Sequence, residues 1–117
     1  MKTVIPLKFA AATIVIFLLA GGAAFADDAT PMWDSSCAAC HGKDGAGKTM
    51  MGGKLNIKDL TDPKVQAALT DAAAAKTIKE GFTDANGMLK MKAFGDKFSD
   101  DDIKALVAQI RTFKSAK

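Results

Sequence analysis

The strongest periodic signal lies near the C-terminal end of the chain. Ile103, Leu106, Val107, Ile110 and Phe113 recur at helical spacing behind the polar run Ser99-Asp100-Asp101-Asp102. This pattern predicts an amphipathic helix capped by Ser99. Three acids then sit at the positive end of its dipole, and Arg111, Lys114 and Lys117 at the negative end. Thr70 predicts the cap of another helix over Asp71–Glu80, ended by Gly81; its alanine run, Ala72 to Ala75, has high helix propensity, and Ile78 is its main large apolar side chain. Asp62-Pro63 opens a shorter helix from Pro63 to Leu69. Thr30-Pro31 supplies a cap and a first-turn proline for a helix from Pro31 to Cys40, on which Trp33 and Cys37 share a face. Between these, the five glycines from Gly42 to Gly53 predict irregular backbone. Leu55, Ile57 and Leu60 follow as apolar pins for one wall of a pocket. Thr83-Asp84-Ala85-Asn86-Gly87 predicts a turn. No strand pattern of comparable strength, no repeat and no linker interrupts the series, so the expectation is one all-α domain.

The first 26 residues follow a different pattern. Lys2 and Lys8 precede the almost wholly apolar stretch Phe9 to Ala20, and Ala24-Phe25-Ala26 offers small residues before Asp27-Asp28. These are the parts of a secretory signal peptide cleaved after Ala26. The apolar stretch is short for a membrane anchor, which needs about 20 residues. The expected division is a signal peptide at 1–26 and one domain at 27–117, without a membrane span after cleavage.

Charge adds little beyond this. The chain of 117 residues carries a formal charge of +3, and losing two lysines with the leader brings it to +1. No long single-sign run points to nucleic acid. A domain of this size buries a modest core, which a large apolar group at its centre would enlarge.

Chemistry concentrates in Cys37-Ala38-Ala39-Cys40-His41. This is the Cys-X-X-Cys-His signature of c-type haem attachment. Two thiols one helical turn apart can each add to a vinyl group of one porphyrin, and His41 can supply an axial nitrogen. The two cysteines and the single histidine of the chain would all be used. Other chemistries fit less well. A dithiol redox site belongs near a βαβ pattern. A zinc site needs further ligands. A disulfide across so short a loop stabilises little. Glycine-rich loops also serve phosphate sites, and the expectation is that this one does not.

With one histidine, the other iron face calls for a soft thioether. Met32 lies too close to the attachment helix, which leaves Met50, Met51, Met88 and Met91.

From Trp33 to Phe113 the chain resembles a class I cytochrome c of the small bacterial, single-haem kind. The likeness rests on the aromatic four residues before the first cysteine, on Cys-Ala-Ala-Cys-His-Gly, on the later methionine, and on Phe94 followed by Ser99-Asp100-Asp101-Asp102-Ile103 with Ala105-Leu106-Val107. The resemblance implies the cytochrome c fold, three to five short helices wrapped around one covalently attached haem held by Cys37 and Cys40. It implies axial iron ligands His41 and Met91, with Met88 in reserve. The family's Met-Pro-X-Phe reads Met91-Lys92-Ala93-Phe94 here, and the common proline after the haem motif is absent.

The resemblance further implies a periplasmic one-electron carrier, not an enzyme, meeting donor and acceptor redox proteins transiently as a monomer. The alternative is a haem enzyme such as a peroxidase, which would need a labile sixth position. Lys43, Lys48, Lys54, Lys90 and Lys92 flank the ligand-bearing loops and are candidates to ring the exposed haem edge and steer an acidic partner.

Overall fold

The computed structural model describes residues 28–113. The expected signal segment and cleavage site, and Lys114 and Lys117, lie outside these residues.

Six helices and one two-stranded ladder are present among the described residues: α1 Thr30–Ser36, α2 Ala38–His41, α3 Met50–Leu55, α4 Pro63–Ala68, α5 Asp71–Glu80, β1 Phe82–Thr83, β2 Leu89–Met91 and α6 Asp100–Thr112. α6 is the centre of the core. Ile103, Ala105, Leu106, Val107 and Ile110 are buried on its inner face, and Leu106 is wholly inaccessible. α5 and α1 pack against it. A reciprocal capping box starts the helix: Ser99 Oγ accepts from Asp102 N at 3.1 Å, and Asp102 Oδ2 accepts from Ser99 N at 3.0 Å. Two otherwise orphaned donors are thereby satisfied.

α5 runs over the expected residues. Thr70 Oγ1 accepts from Ala73 N at 3.1 Å, and Gly81 closes the helix at φ +79°. α4 is capped by Asp62, which accepts from Lys64 N at 2.8 Å. It stops one residue early, because Leu69 and Thr70 turn extended to start α5.

The first expected helix is divided in two. Cys37 (φ −118°, ψ −36°) ends α1 and caps α2: its N–H closes on Trp33 O at 2.8 Å while its carbonyl accepts from His41 N at 2.9 Å. Thr30 is not the cap. Asp28 Oδ1 takes the Thr30 N–H at 3.0 Å, which draws Thr30 into the first turn and leaves buried Ala29 at the boundary.

The glycine stretch is not irregular throughout. Thr49 caps α3, and Gly52 lies inside it against the preceding chain. A Cβ at Gly52 would overlap Gly47 O and meet Cys40 O at 2.8 Å. Tertiary approach and a side-chain cap override the low helix propensity of Gly52-Gly53.

The ladder was not expected either. β1 and β2 pair antiparallel around the 84–87 turn, and five residues in strand give too short a pattern to register as alternation. Arg111 also does more than complement a dipole. Its guanidinium donates to Asp71 Oδ1 (2.8 Å), Gln66 Oε1 (2.9 Å) and the carbonyl of Leu69, while buried Gln66 Nε2 donates to Leu60 O (2.6 Å) and Ile110 O (2.8 Å). That network fastens α4 and the start of α5 to α6.

Candidate cofactor site

The break at Cys37 determines what the attachment segment can offer. Because Cys37 caps α2 while Cys40 and His41 lie on its single turn, the three side chains are presented to one side. All three line a cavity of about 700 Å³. Leu55 and Ile57 form one wall, and Phe82, Leu89, Met91 and Phe94 contribute from the hairpin side. Leu60, expected as a third wall residue, is instead buried in the core.

Thr49 and Trp33 hold the attachment segment from behind. Thr49 Oγ1 donates to Cys40 O at 2.6 Å and accepts from Gly52 N at 2.8 Å. Trp33 is buried, donates Nε1–H to Gly42 O at 2.9 Å, and sets its ring 5.5 Å from the His41 ring and 4.8 Å from that of Phe113. It is therefore both a core aromatic between α1 and α6 and the backing of the imidazole.

Burial holds the His41 imidazole below its usual pKa, in the neutral form that ligates metals. Its Nδ1 is buried and has no hydrogen-bond partner. Buried polar atoms without a partner are rare, and a redox or metal role is one of the things that accounts for them. Burial likewise pushes the Cys37 thiol up to about 11, and both cysteines are free. Two thiols, an imidazole and a thioether around an apolar cavity of cofactor size form a donor set that fits a covalently attached haem.

Among the candidate methionines, Met91 is half-buried and lines the cavity. Met50 is 79% exposed, Met51 42% and Met88 54%, and none of the three lines it. Lys90 and Lys92 line the cavity, as does Lys58, which the flanking-loop argument passed over. Lys43, Lys48 and Lys54 are exposed outside the lining. Asp84 also lines it, although its place in the sequence signalled only a turn. Its carboxyl lies below the usual range, chiefly because it accepts the Met88 N–H, then that of Asn86, with Lys90 adding a weaker pull.

Two competing chemistries can be judged on geometry. Gly42 to Thr49 has the order Gly-X-X-X-X-Gly-Lys-Thr, so its spacing is that of a phosphate loop. Yet it joins two helices rather than a strand to a helix. Its central amides are taken by the chain itself: Gly45 N on Gly42 O at 3.1 Å, Ala46 N on Asp44 Oδ1 at 3.0 Å and Gly47 N on His41 O at 2.7 Å. Its threonine hydroxyl is engaged by Cys40 and Gly52. These three amides and that hydroxyl are not free to cradle a phosphate. Among the described residues, no three His, Cys, Asp or Glu side chains gather as a metal-binding group, so a zinc site would lack its ligands.

Comparison with known proteins points the same way. Residues 24–110 match the family described as cytochrome c oxidase, cbb3-type, subunit III. The chain is 35% identical over 79 residues to cytochrome c-553 of Helicobacter pylori, covering 68% of this chain and 72% of that protein. The solved structure of KustC0563 c-type cytochrome superposes with a TM-score of 0.66 at 31% identity, covering 75% of this chain and 99% of the other. A point mutant of that protein gives a TM-score of 0.63, again at 31% identity, over 74% of this chain and 99% of its own.

Proposed function

This chain belongs to the cbb3-type cytochrome c oxidase subunit III family and is a small monohaem c-type cytochrome; from that membership we propose that it is a periplasmic one-electron carrier with its haem fixed through Cys37 and Cys40 and its iron held between His41 and Met91. One observation carries the proposal. A single cavity gathers both thiols, the only imidazole of the chain and, of four candidate thioethers, Met91 alone.

When bound, the haem supplies a one-electron ferrous–ferric couple. Cys37 and Cys40 would fix its orientation through thioether bonds. His41, neutral and backed by Trp33, offers a nitrogen without first losing a proton. Met91, as a soft ligand, would favour the ferrous state, and the apolar walls formed by Leu55, Ile57 and Phe94 would act in the same direction by disfavouring added charge. Were His41 and Met91 both to hold the iron, small oxidants would find no open site, as a carrier rather than an enzyme requires. No described helix is long and apolar enough to cross a membrane. The leader-like segment at 1–26 supports export, and Lys58 and Lys92 at the cavity support transient docking of an acidic redox partner, whereas Lys90 is paired with Asp84.

The oxidised absorption spectrum tests the ligand set. Met91→Ala is expected to abolish the far-red methionine–iron band and admit carbon monoxide, whereas Met88→Ala leaves both properties unchanged. An unaltered band in Met91→Ala, or rapid carbon monoxide binding by the native protein, contradicts the proposal; the latter result would favour a haem enzyme.

A further inference from the structure

Three consecutive residues of β2, Leu89, Lys90 and Met91, all line the cavity. In a regular strand, neighbours point to opposite faces. The register explains the exception. Phe82 pairs with Met91, but the next residue, Thr83, pairs with Leu89. Lys90 is therefore an extra residue on β2, a bulge. A bulge bends its strand and re-aims the side chains beside it. Without it, a one-residue shift of register would carry Met91 to the other face.

Asp84 holds this bulge from two directions. Its Oδ1 accepts the backbone N–H of Asn86 at 2.9 Å and of Met88 at 3.0 Å, which closes the turn entering β2. Its Oδ2 lies 3.7 Å from Nζ of Lys90, the bulged residue itself. The backbone of Asp84 completes the clasp, donating to Met88 O at 3.0 Å and accepting from Gly87 N at 3.0 Å. Beyond the bulge, Phe94 N and Gly95 N donate to Ile78 O and Lys79 O at the end of α5, at 2.9 and 3.0 Å. Met91 thus lies between two anchors, and Asp84 is the side chain that makes the first of them.

We propose that Asp84 is the positioning residue for Met91: its carboxylate fixes the 84–88 turn and the Lys90 bulge, and so sets the reach of the thioether toward the haem iron. The proposal rests on the reading of Met91 as an axial ligand. In this role Asp84 acts through the backbone of the turn and through Lys90, not as an iron ligand.

The test uses the holoprotein with Asp84→Ala, Asp84→Asn and Met91→Ala, read by amide hydrogen exchange at Asn86 and Met88 and by the far-red band of the oxidised protein. Helical circular dichroism and haem content serve as controls for folding. Asp84→Ala is expected to speed exchange at Met88 about tenfold or more, as loss of a charge-assisted hydrogen bond implies, and to weaken the far-red band. Asp84→Asn, whose amide oxygen can still accept both backbone donors, is expected to restore most of the band. Should Asp84→Ala not accumulate, Asp84→Ser gives the graded case, a band between native and absent, because a hydroxyl makes the same turn more weakly. A native band in the Ala or Ser variant despite accelerated exchange overturns the proposal, and so does an Asn variant no better than Ala. If the band survives Met91→Ala, the ligand assignment itself has failed. If Met91→Ala abolishes it while Asp84→Ala leaves it intact, only the role of Asp84 has failed.

Discussion

Thr49 Oγ1 donates a 2.6 Å hydrogen bond to the carbonyl of Cys40. The same oxygen caps α3 by accepting from Gly52 N. One hydroxyl thereby joins the glycine loop to the segment bearing both attachment thiols. Thr49→Val keeps the shape and deletes the hydroxyl, leaving a part-buried carbonyl and a helix N–H without partners. Such losses destabilise by about 1–3 kcal/mol. A lowered melting temperature of the holoprotein is expected, and Thr49→Ser should recover most of it.

Adjacent glycines in α3 should respond oppositely to alanine. A Cβ at Gly52 would collide with the backbone of Gly47 and Cys40, where no flexible side chain can yield. Gly52→Ala is therefore expected to unfold the loop or severely lower the yield of haem-bearing protein. A Cβ at Gly53 meets nothing within 4 Å, and its backbone is helical. Gly53→Ala is expected to be neutral or to stabilise by about 0.5–1 kcal/mol. Denaturant titration of the two variants checks both signs.

Asp84 gives a pH dependence with a defined sign. Its folded-state pKa is depressed below the ordinary value of 3.8, first by the Met88 N–H. A depressed carboxyl pKa contributes stability that is present above the unfolded value and lost as pH falls through the folded one. The stability advantage of native protein over Asp84→Ala should accordingly be full at pH 6 to 7 and shrink below about pH 4. Melting curves of the pair across that range measure it. An advantage that grows on acidification would show that the carboxylate is not what the turn uses.

The legibility of this chain from sequence tracks how local each determinant is. α5 and α6 could be read closely because their caps, Thr70 and Ser99, and the glycine after α5 lie within a few residues of what they control. That Cys37, Cys40 and His41 share one cavity was legible because they stand within five residues of one another along the chain. What escaped was set by contacts across the fold. α3 forms because Gly52 can press against Gly47 and Cys40, which no propensity encodes. The break at Cys37 and the displacement of Thr30 from its cap depend on which backbone and carboxylate partners were nearer. The hairpin is short and partly exposed, so its alternation never rises above its turn. For that reason Asp84 read as an ordinary turn residue, and Lys90 as a lysine facing a partner rather than as a bulge in a strand. Among the methionines, sequence position alone left four candidates, and their burial distinguishes them only once β2 is paired.

The central claim is that Cys37 and Cys40 carry one haem covalently. Intact mass spectrometry of the denatured protein, expressed in a host competent for c-type cytochrome assembly and treated with a thiol-alkylating reagent, tests it directly. The expected species carries the mass of one haem, resists acid–organic extraction and takes up no alkyl group. A colourless polypeptide of haem-free mass with two alkylated thiols would contradict the account.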